Sequence, residues 1–171
     1  ITIPLSKFAK EQNIQINFLK EKKFLGTAGS IKLVKKKFDN YLIVNGDIIT
    51  NLNFRNLITF HEEKRNDFTI CTKSYENKIE FGVLKITNNK IKDIIEKPTY
   101  HHDFCCGIYL FNKKIFRLIE SKKRFDMPNL IKKSAKAKLK IIPYMLHEYW
   151  NDIGTSKTLI ELDYKYHRFF S

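Results

Sequence analysis

Cysteine is scarce in this sequence, and long apolar runs are absent. The three cysteines are too few and of the wrong parity for a disulfide framework, and a bridge between the adjacent Cys105 and Cys106 would be strained. No Cys-x-x-Cys or His–Cys spacing indicates a zinc site. No apolar run is long enough to span a bilayer, and no secretory signal is visible. We therefore expect no membrane association and a location in the reducing cytoplasm.

Charge is strongly one-sided, because 32 Lys and Arg against 18 Asp and Glu give a net charge of +14. Such an excess can indicate a protein that binds nucleic acid. The lysines, however, are spread along the whole chain, and basic clusters interleaved with aromatic residues are absent. We expect no nucleic-acid partner and attribute to the charge only an attraction for anionic nucleotides. The alternative, a nucleic-acid binder, would show a steep salt dependence of binding.

Alternating strand and helix patterns predict a single α/β domain over residues 1–171, a length sufficient for one hydrophobic core. Strands are predicted at residues 14–19, 41–44, 68–72, 81–86, 91–96, 106–111 and 139–143. Helices are predicted at residues 6–13, 30–37, 53–64, 113–120, 129–135 and 157–169, with Leu57, Ile58 and Phe60 on the packed face of the third. A hairpin turn signal, Asn88-Asn89-Lys90, makes the expected sheet mixed rather than purely parallel.

One apolar run, Tyr41 to Val44, is expected to be a buried strand, and it ends at Asn45-Gly46-Asp47. Ligands of open α/β sheets bind beyond the carboxyl ends of strands, where a carboxylate can hold a divalent cation against a phosphate. A second carboxylate, Asp152, stands in the later segment Trp-Asn-Asp-Ile-Gly-Thr. The pair predicts a magnesium site, whereas Asn-Gly-Asp taken alone is more often a plain turn than a metal site.

Two further segments carry weaker signals. Leu25-Gly26-Thr27-Ala28-Gly29-Ser30 is a Gly-rich turn that leads into a helix, so its backbone can approach a ligand, or it is an ordinary loop with Ser30 as the N-cap. Glu96-Lys97-Pro98 ends a predicted strand with a carboxylate for sugar hydroxyls and an ammonium for a phosphate, or with a solvated ion pair.

Taken in order along the chain, these segments resemble the sugar-phosphate nucleotidyltransferases. The series is Leu-Gly-Thr-Ala-Gly, Asn-Gly-Asp, Phe-Gly-Val, Glu-Lys-Pro, Gly-Ile-Tyr and Trp-Asn-Asp-Ile-Gly-Thr, and the resemblance extends from Ile14 to Lys157. It implies the Rossmann-like mixed-sheet fold of the nucleotide-diphospho-sugar transferases. Phe125-Asp126-Met127-Pro128 is similar to the branch that acts on hexose-1-phosphates and often uses GTP.

The resemblance implies a role for each matching residue. Asp47 and Asp152 would bind Mg²⁺ and, with Lys97, act in catalysis. Gly26 and Thr27 would face the nucleotide base. The sugar phosphate would contact four positions: Gly82, Glu96, Lys97 and Cys105. Family members commonly carry a small residue such as Asn before the Gly-Ile-Tyr strand; here Cys105 and Cys106 stand there, and we interpret them as small buried hydrophobic residues without a redox role.

The implied reaction joins a nucleoside triphosphate to a sugar-1-phosphate and releases pyrophosphate. The family's opening strand, with a Gly-rich loop carrying Arg and a nearby Lys, has no counterpart in these residues. We expect the fold to be incomplete at its N-terminal side and the chain to be inactive alone. A missing N-terminal segment or a homo-oligomer would complete it. The alternative function is a non-catalytic sensor of nucleotide-sugars, which would bind without Mg²⁺.

Overall fold

The computed structural model describes residues 2–35, 37–120 and 123–154, and these fall into two compact units. The first unit contains the chain up to Asp39 together with Lys113–Leu139, and the second contains Asn40–Asn112 and the chain from Lys140 onward. No helix among the described residues is long and apolar enough to cross a membrane.

The first unit is helical. It contains α1 (Thr2–Glu11), α2 (Gly26–Gly29), α4 (Met127–Lys136) and two 3₁₀ helices, Ser30–Leu33 and Lys113–Leu118. The second unit holds one helix, α3 (Phe54–Glu63), and all the strands. These are β1 (Asn40–Val44), β2 (Ile48–Thr50), β3 (Phe68–Lys78), β4 (Val83–Thr87), β5 (Lys90–Ile95), β6 (Thr99–Asn112), β7 (Ile141–Met145) and β8 (Trp150–Asp152).

The main sheet of the second unit is mixed, as predicted, with strand order β1-β6-β3-β7. β6 pairs antiparallel with both β1 and β3, while β3 and β7 run parallel. Two shorter ladders complete the unit, β2 with β8 and the hairpin β4–β5, both antiparallel. The hairpin turns at Asn88 and Asn89, both with positive φ, which confirms the turn signal.

Two sets of apolar side chains hold the second unit together. A buried cluster lies around the centre of the main sheet: Leu52, Leu57, Cys71, Cys106, Ile108, Leu110 and Leu146. Aromatic rings pack elsewhere on that sheet, where Phe68 lies 5.7 Å from Phe111 and 6.3 Å from Tyr109, measured between ring centroids. Such ring pairs add about 0.5–1.5 kcal/mol beyond the area they bury.

The strand predicted at residues 14–19 is wrong. The structure has no strand there, and Ile14, Phe18 and Leu19 are about half exposed. The apolar–polar alternation is genuine, but a strand also requires a neighbour to satisfy its backbone N–H and C=O groups. No described strand pairs with this segment.

Several other boundaries and burial predictions also needed correction. β1 forms as predicted but only Tyr41 is buried, because within the described residues β1 has one neighbouring strand and stands at the sheet edge. In α3 the buried positions are Leu57 and His61, one turn apart, whereas Ile58 is exposed. The helices predicted at 30–37 and 113–120 are short 3₁₀ segments, and the one predicted at 157–169 lies outside the described residues.

Asn45 is fixed against β6 at Gly107, the glycine of Gly-Ile-Tyr. The Asn45 N–H donates to the Gly107 carbonyl oxygen at 2.9 Å. Gly107 has φ +72, and a Cβ added there would lie 2.8 Å from Asn45 Nδ2 and 3.0 Å from Asn45 Cγ. Glycine is therefore required at this position by both backbone conformation and space.

His61 belongs to a buried polar group at the base of β3. Its Nδ1 lies 2.8 Å from Thr69 Oγ1, which also accepts a hydrogen bond from Asn66 Nδ2 at 3.0 Å. Burial lowers the pKa of His61, although Glu62 and Asp67 act in the opposite direction. The folded protein therefore favours the neutral imidazole.

Replacing Gly107 by alanine should destabilise the fold. Gly107→Ala forces an L-residue into the left-handed region, which costs about 1–2 kcal/mol, and its Cβ also collides with Asn45. Gly46→Ala is the control, because an added Cβ there meets no atom within 4 Å. Urea denaturation should show a lower free energy of unfolding for Gly107→Ala and little change for Gly46→Ala. Equal stability of the two variants would contradict the role given to Gly107.

Acid should destabilise the fold in part through His61. Because its pKa is lower in the folded than in the unfolded chain, its contribution is fully present above the unfolded pKa of about 6.5 and is lost as pH falls. His61→Asn should therefore flatten the fall in urea midpoint between neutral and mildly acidic pH. A His61→Asn slope equal to that of wild type would disprove the assignment.

Candidate active site

In the first unit, the glycine-rich segment is a single helical turn tied to the start of α4. The N–H groups of Ala28 and Gly29 both donate to the Phe125 carbonyl oxygen, at 3.0 and 2.9 Å, and the Phe125 N–H donates to the Leu25 carbonyl oxygen at 2.8 Å. Gly26 has φ +83, and a Cβ there would lie 2.8 Å from the Phe125 carbonyl oxygen. Only glycine fits this position without displacing the segment.

Thr27 and Asp126 complete this connection. The Thr27 N–H donates to Asp126 Oδ1 at 3.1 Å, and Thr27 Oγ1 accepts from the Met127 N–H at 2.8 Å. Asp126 stands at the N-cap position of α4, but its side chain accepts a hydrogen bond from Thr27 and none from its own helix. Ser30, the proposed N-cap, instead begins a 3₁₀ helix. The sequence contained both segments, yet no local spacing signal indicates that they bind each other.

In the second unit, the two predicted metal-binding aspartates lie at the same end of one ladder. β2 pairs with β8 so that Ile48 is opposite Asp152, and the ladder continues with a 2.8 Å hydrogen bond from the Ile153 N–H to the Asp47 carbonyl oxygen. Asp47 stands in the turn before β2, so the turn rather than strand alternation sets its side-chain direction. Both aspartates are exposed.

Trp150 fixes the β2–β8 ladder to the main sheet. Its Nε1 donates to the Cys106 carbonyl oxygen at 2.8 Å, and its ring lies 5.5 Å from that of Phe104 on β6. At the same end of the ladder, where Thr50 is opposite Trp150, Thr50 Oγ1 donates to the Tyr149 carbonyl oxygen at 2.7 Å. A three-residue ladder is marginal by itself, so these contacts position Asp152.

The hairpin β4–β5 brings together two of the predicted sugar-binding residues. Val83 is opposite Ile95, which places Gly82 opposite Glu96 at the open end of the hairpin. A Cβ added to Gly82 would lie 3.1 Å from Glu96 Oε2. The Gly82 backbone and the Glu96 carboxylate are thus neighbours that one ligand can contact.

Lys97 follows Glu96 with φ +44, the left-handed region, and its side chain is exposed. A non-glycine residue pays about 1–2 kcal/mol for this conformation, and such strain concentrates at functional sites. Pro98 follows, and its carbonyl oxygen accepts from the Ile79 N–H at 3.1 Å, which holds the bend.

The cysteines divide between surface and core. Cys106 is fully buried, as predicted, but Cys105 is exposed on β6 opposite Thr72, which corrects the interpretation of both as buried hydrophobic residues. Burial raises the pKa of Cys71 to about 12 and that of Cys106 to about 11, and desolvation also raises the pKa of the Cys105 thiol. All three thiols therefore stay protonated at neutral pH and are poor nucleophiles.

The predicted site residues thus form three local groups, which lie on the glycine-rich segment, on the β2–β8 ladder and on the β4–β5 hairpin. Gly26 and Thr27 belong to the first unit, and the remainder to the second. Within the described residues of the second unit, no hydrogen bond or ion pair links the hairpin group to Asp47 or Asp152. No set of three or more His, Cys, Asp or Glu side chains in the described ranges could hold a metal alone. A cation at Asp47 and Asp152 would need ligand or water oxygens as well.

Comparison with known proteins relates this chain to one family. The family model described as nucleotidyl transferase matches residues 5–168. A mannose-1-phosphate guanyltransferase of Debaryomyces hansenii is 31% identical over 169 residues, covering 91% of this chain and 45% of the relative. A putative mannose-1-phosphate guanyltransferase of Sulfolobus acidocaldarius is 28% identical over 163 residues, covering 90% of this chain and 44% of the relative.

Solved structures show the same fold. A putative glucose-1-phosphate thymidylyltransferase from Bacillus anthracis matches with a TM-score of 0.70 at 21% identity, covering 94% of this chain and 70% of that one. HddC from Yersinia pseudotuberculosis, complexed with GMP-PN, matches with a TM-score of 0.66 at 20% identity, covering 95% and 73%. The predicted α/β mixed-sheet fold of the nucleotide-diphospho-sugar transferases is therefore confirmed.

The chain spans less than half the length of the curated relatives it matches. Its match to the family model nevertheless covers nearly all of its residues, and the relatives and solved structures agree with it. This chain belongs to the nucleotidyl transferase family.

Proposed function

We propose that the protein forms a nucleotide-sugar from a nucleoside triphosphate and a sugar-1-phosphate, with release of pyrophosphate. The observation that carries the proposal is the β2–β8 ladder, which places Asp47 and Asp152, two aspartates far apart in sequence, at neighbouring backbone positions. A nucleotide-sugar sensor would need no such pair. Family membership agrees with this assignment.

The chemistry of the two aspartates fits Mg²⁺. This ion is commonly bound by one or two carboxylates, with substrate phosphates and water filling the remaining positions. Neither side chain is taken up by a cation among the described residues; Asp152 Oδ1 accepts only the Gly154 N–H, at 2.6 Å. When bound, Mg²⁺ would offset negative charge on the phosphate oxygens.

The protein's own residues act mainly by positioning. A sugar-phosphate oxygen attacks the α-phosphorus of the nucleotide, the bond from that phosphorus to the oxygen that bridges the α- and β-phosphates breaks, and pyrophosphate leaves with that oxygen. Lys97 would hold the attacking phosphate in line and partly neutralise it. The Glu96 carboxylate and Gly82 backbone would hold sugar hydroxyls, with Cys105 at the edge of that site.

Gly26 and Thr27 are proposed to face the base. Their segment is fixed through Asp126 and Phe125, so its backbone direction is set before a ligand arrives.

We propose guanosine triphosphate and a hexose-1-phosphate as the substrates, because the curated relatives are mannose-1-phosphate guanyltransferases. We further propose that residues 1–171 are the sugar-side portion of a single nucleotidyltransferase domain. We also propose a cytoplasmic location, supported by the free state of the three cysteines.

Removing either aspartate should abolish most metal-dependent turnover. Asp47→Asn and Asp152→Asn each keep the side-chain shape but remove a charged metal ligand, so pyrophosphate release from GTP and mannose-1-phosphate should fall by about a hundredfold or more. The assay requires the intact natural protein, followed across a range of Mg²⁺ concentrations.

The matched control is Asp93→Asn, because Asp93 is an exposed carboxylate whose Oδ1 accepts only its neighbour's N–H from Ile94 at 2.9 Å. Its turnover should equal that of wild type. Unchanged activity in Asp47→Asn or Asp152→Asn would remove that residue from the site. Binding of nucleotide-sugar that ignores both Mg²⁺ and these substitutions would favour the sensor.

Lys97 should show opposite effects on stability and activity. Lys97→Gly relieves the left-handed strain and should stabilise the fold by up to about 1 kcal/mol, while it removes the charge that holds the sugar phosphate. We expect kcat/KM for the sugar-1-phosphate to fall by about a hundredfold, with a higher urea midpoint. Lys97→Arg, which keeps the charge, should retain more activity than Lys97→Gly. If Lys97→Gly turned over normally, Lys97 would have only a structural role.

A further inference from the structure

The first unit contains a cluster of cationic side chains that lies outside the groups of residues described above. A cavity of about 410 Å³ opens beside α4. One of its walls is a single face of that helix, formed by Asn129, Lys132, Lys133 and Lys136 at the spacing of residues that neighbour each other on a helix surface. The buried face of α4 is a different one, formed by Met127, Leu130 and Ser134.

Residues outside the helix add two more cations and one carboxylate to the lining of the cavity. Lys123 and Arg124 line it together with Glu120 and Phe125. Five cationic side chains therefore surround a space that holds one carboxylate in its lining. This is a local concentration of charge, not the even spread of lysine that the chain shows elsewhere.

Three of the five cations have partners. Lys123 and Lys133 both contact Glu120, and hydrogen bonds from Lys123 and Lys133 lower the pKa of that carboxyl. Lys133 also lies 5.2 Å from the ring centroid of Phe125. Arg124 donates from Nε to Asp126 Oδ2 at 3.0 Å.

Lys132 and Lys136 differ, because neither has an ion pair or a side-chain hydrogen bond with any described residue. They stand one helical turn apart, where like charges repel. The C-terminal end of α4 offsets part of that cost through the helix dipole. The dipole does not account for Lys123 and Arg124, which reach the same cavity from outside the helix.

We propose that this cavity binds a small soluble polyanion with two or more linked phosphate groups, held chiefly by Lys132 and Lys136. Its volume lies within the roughly 300–1,000 Å³ typical of small-ligand sites. Ammonium groups bind phosphate as point charges, and a ligand with several charges would satisfy both free lysines at once. None of the lining residues is among those assigned to the transfer reaction, so the proposal does not rest on that function.

Calorimetric titration of the natural protein with tripolyphosphate at low salt tests the proposal. Lys132→Gln with Lys136→Gln should weaken binding by about tenfold or more, since a hydrogen bond between charged groups commonly contributes a tenfold step or more in affinity. Orthophosphate, with a single phosphate group, should bind more weakly than tripolyphosphate to the wild-type protein. Circular dichroism should show that the variant folds like wild type, because both side chains stand on the cavity face of α4.

The matched control is the pair Lys20→Gln and Lys22→Gln, which removes the same charge from exposed positions of the same unit. Its affinity for tripolyphosphate should stay within about twofold of wild type. Equal weakening in the two double variants would mean that only net charge attracts the anion, and the proposal would fail. It would also fail if a short single-stranded oligonucleotide bound more tightly than tripolyphosphate with the same dependence on Lys132 and Lys136, which would indicate a nucleic-acid site.

Discussion

The antiparallel pairing of β2 with β8 is the contact on which the proposed chemistry depends. It brings Asp152 opposite Ile48, and the hydrogen bond from Ile153 to the carbonyl of Asp47 sets the neighbouring register. A ladder of three residues is too short to be stable alone. Contacts with the main sheet stabilise it, chiefly the hydrogen bond from Trp150 to the Cys106 carbonyl and the contact of Trp150 with Phe104. The core of the main sheet and the geometry of the two carboxylates are therefore linked.

Strands marked by a clear apolar run or a turn signal were predictable from the sequence, whereas the three-residue strands β2 and β8 were not. The turn signal at Asn88 and Asn89 located the hairpin, and the bounds of β4 and β5 each lie within two residues of the predicted ones. The apolar–polar alternation of residues 14–19 was misleading, because alternation reports which faces could be buried and not whether a partner strand is present. Likewise, apolar composition could not show that Leu42 and Val44 stand at a sheet edge.

The candidate site was predictable in its residue types but not in its supports. Asn-Gly-Asp and Glu-Lys-Pro drew attention through their positions after apolar runs. The contacts that support Asn45, Thr27 and the β2–β8 ladder were missed. They join Gly107 to Asn45, Asp126 to Thr27 and Trp150 to Cys106 over long sequence distances, without a local sequence period. A left-handed Lys97 was equally invisible, since lysine rarely adopts that conformation.

If Asp47 and Asp152 hold one divalent cation together, each should contribute to Mn²⁺ binding, which electron paramagnetic resonance measures. The titration would use Mn²⁺ in place of Mg²⁺ with GDP-mannose present, for wild type, Asp47→Asn, Asp152→Asn and the double variant. A shared site predicts that either single change weakens Mn²⁺ binding strongly and that the double change adds less than the sum of the two, because coupled ligands are not additive. Mn²⁺ binding that survives both single changes, or losses that simply add, would show that the two aspartates do not share a cation.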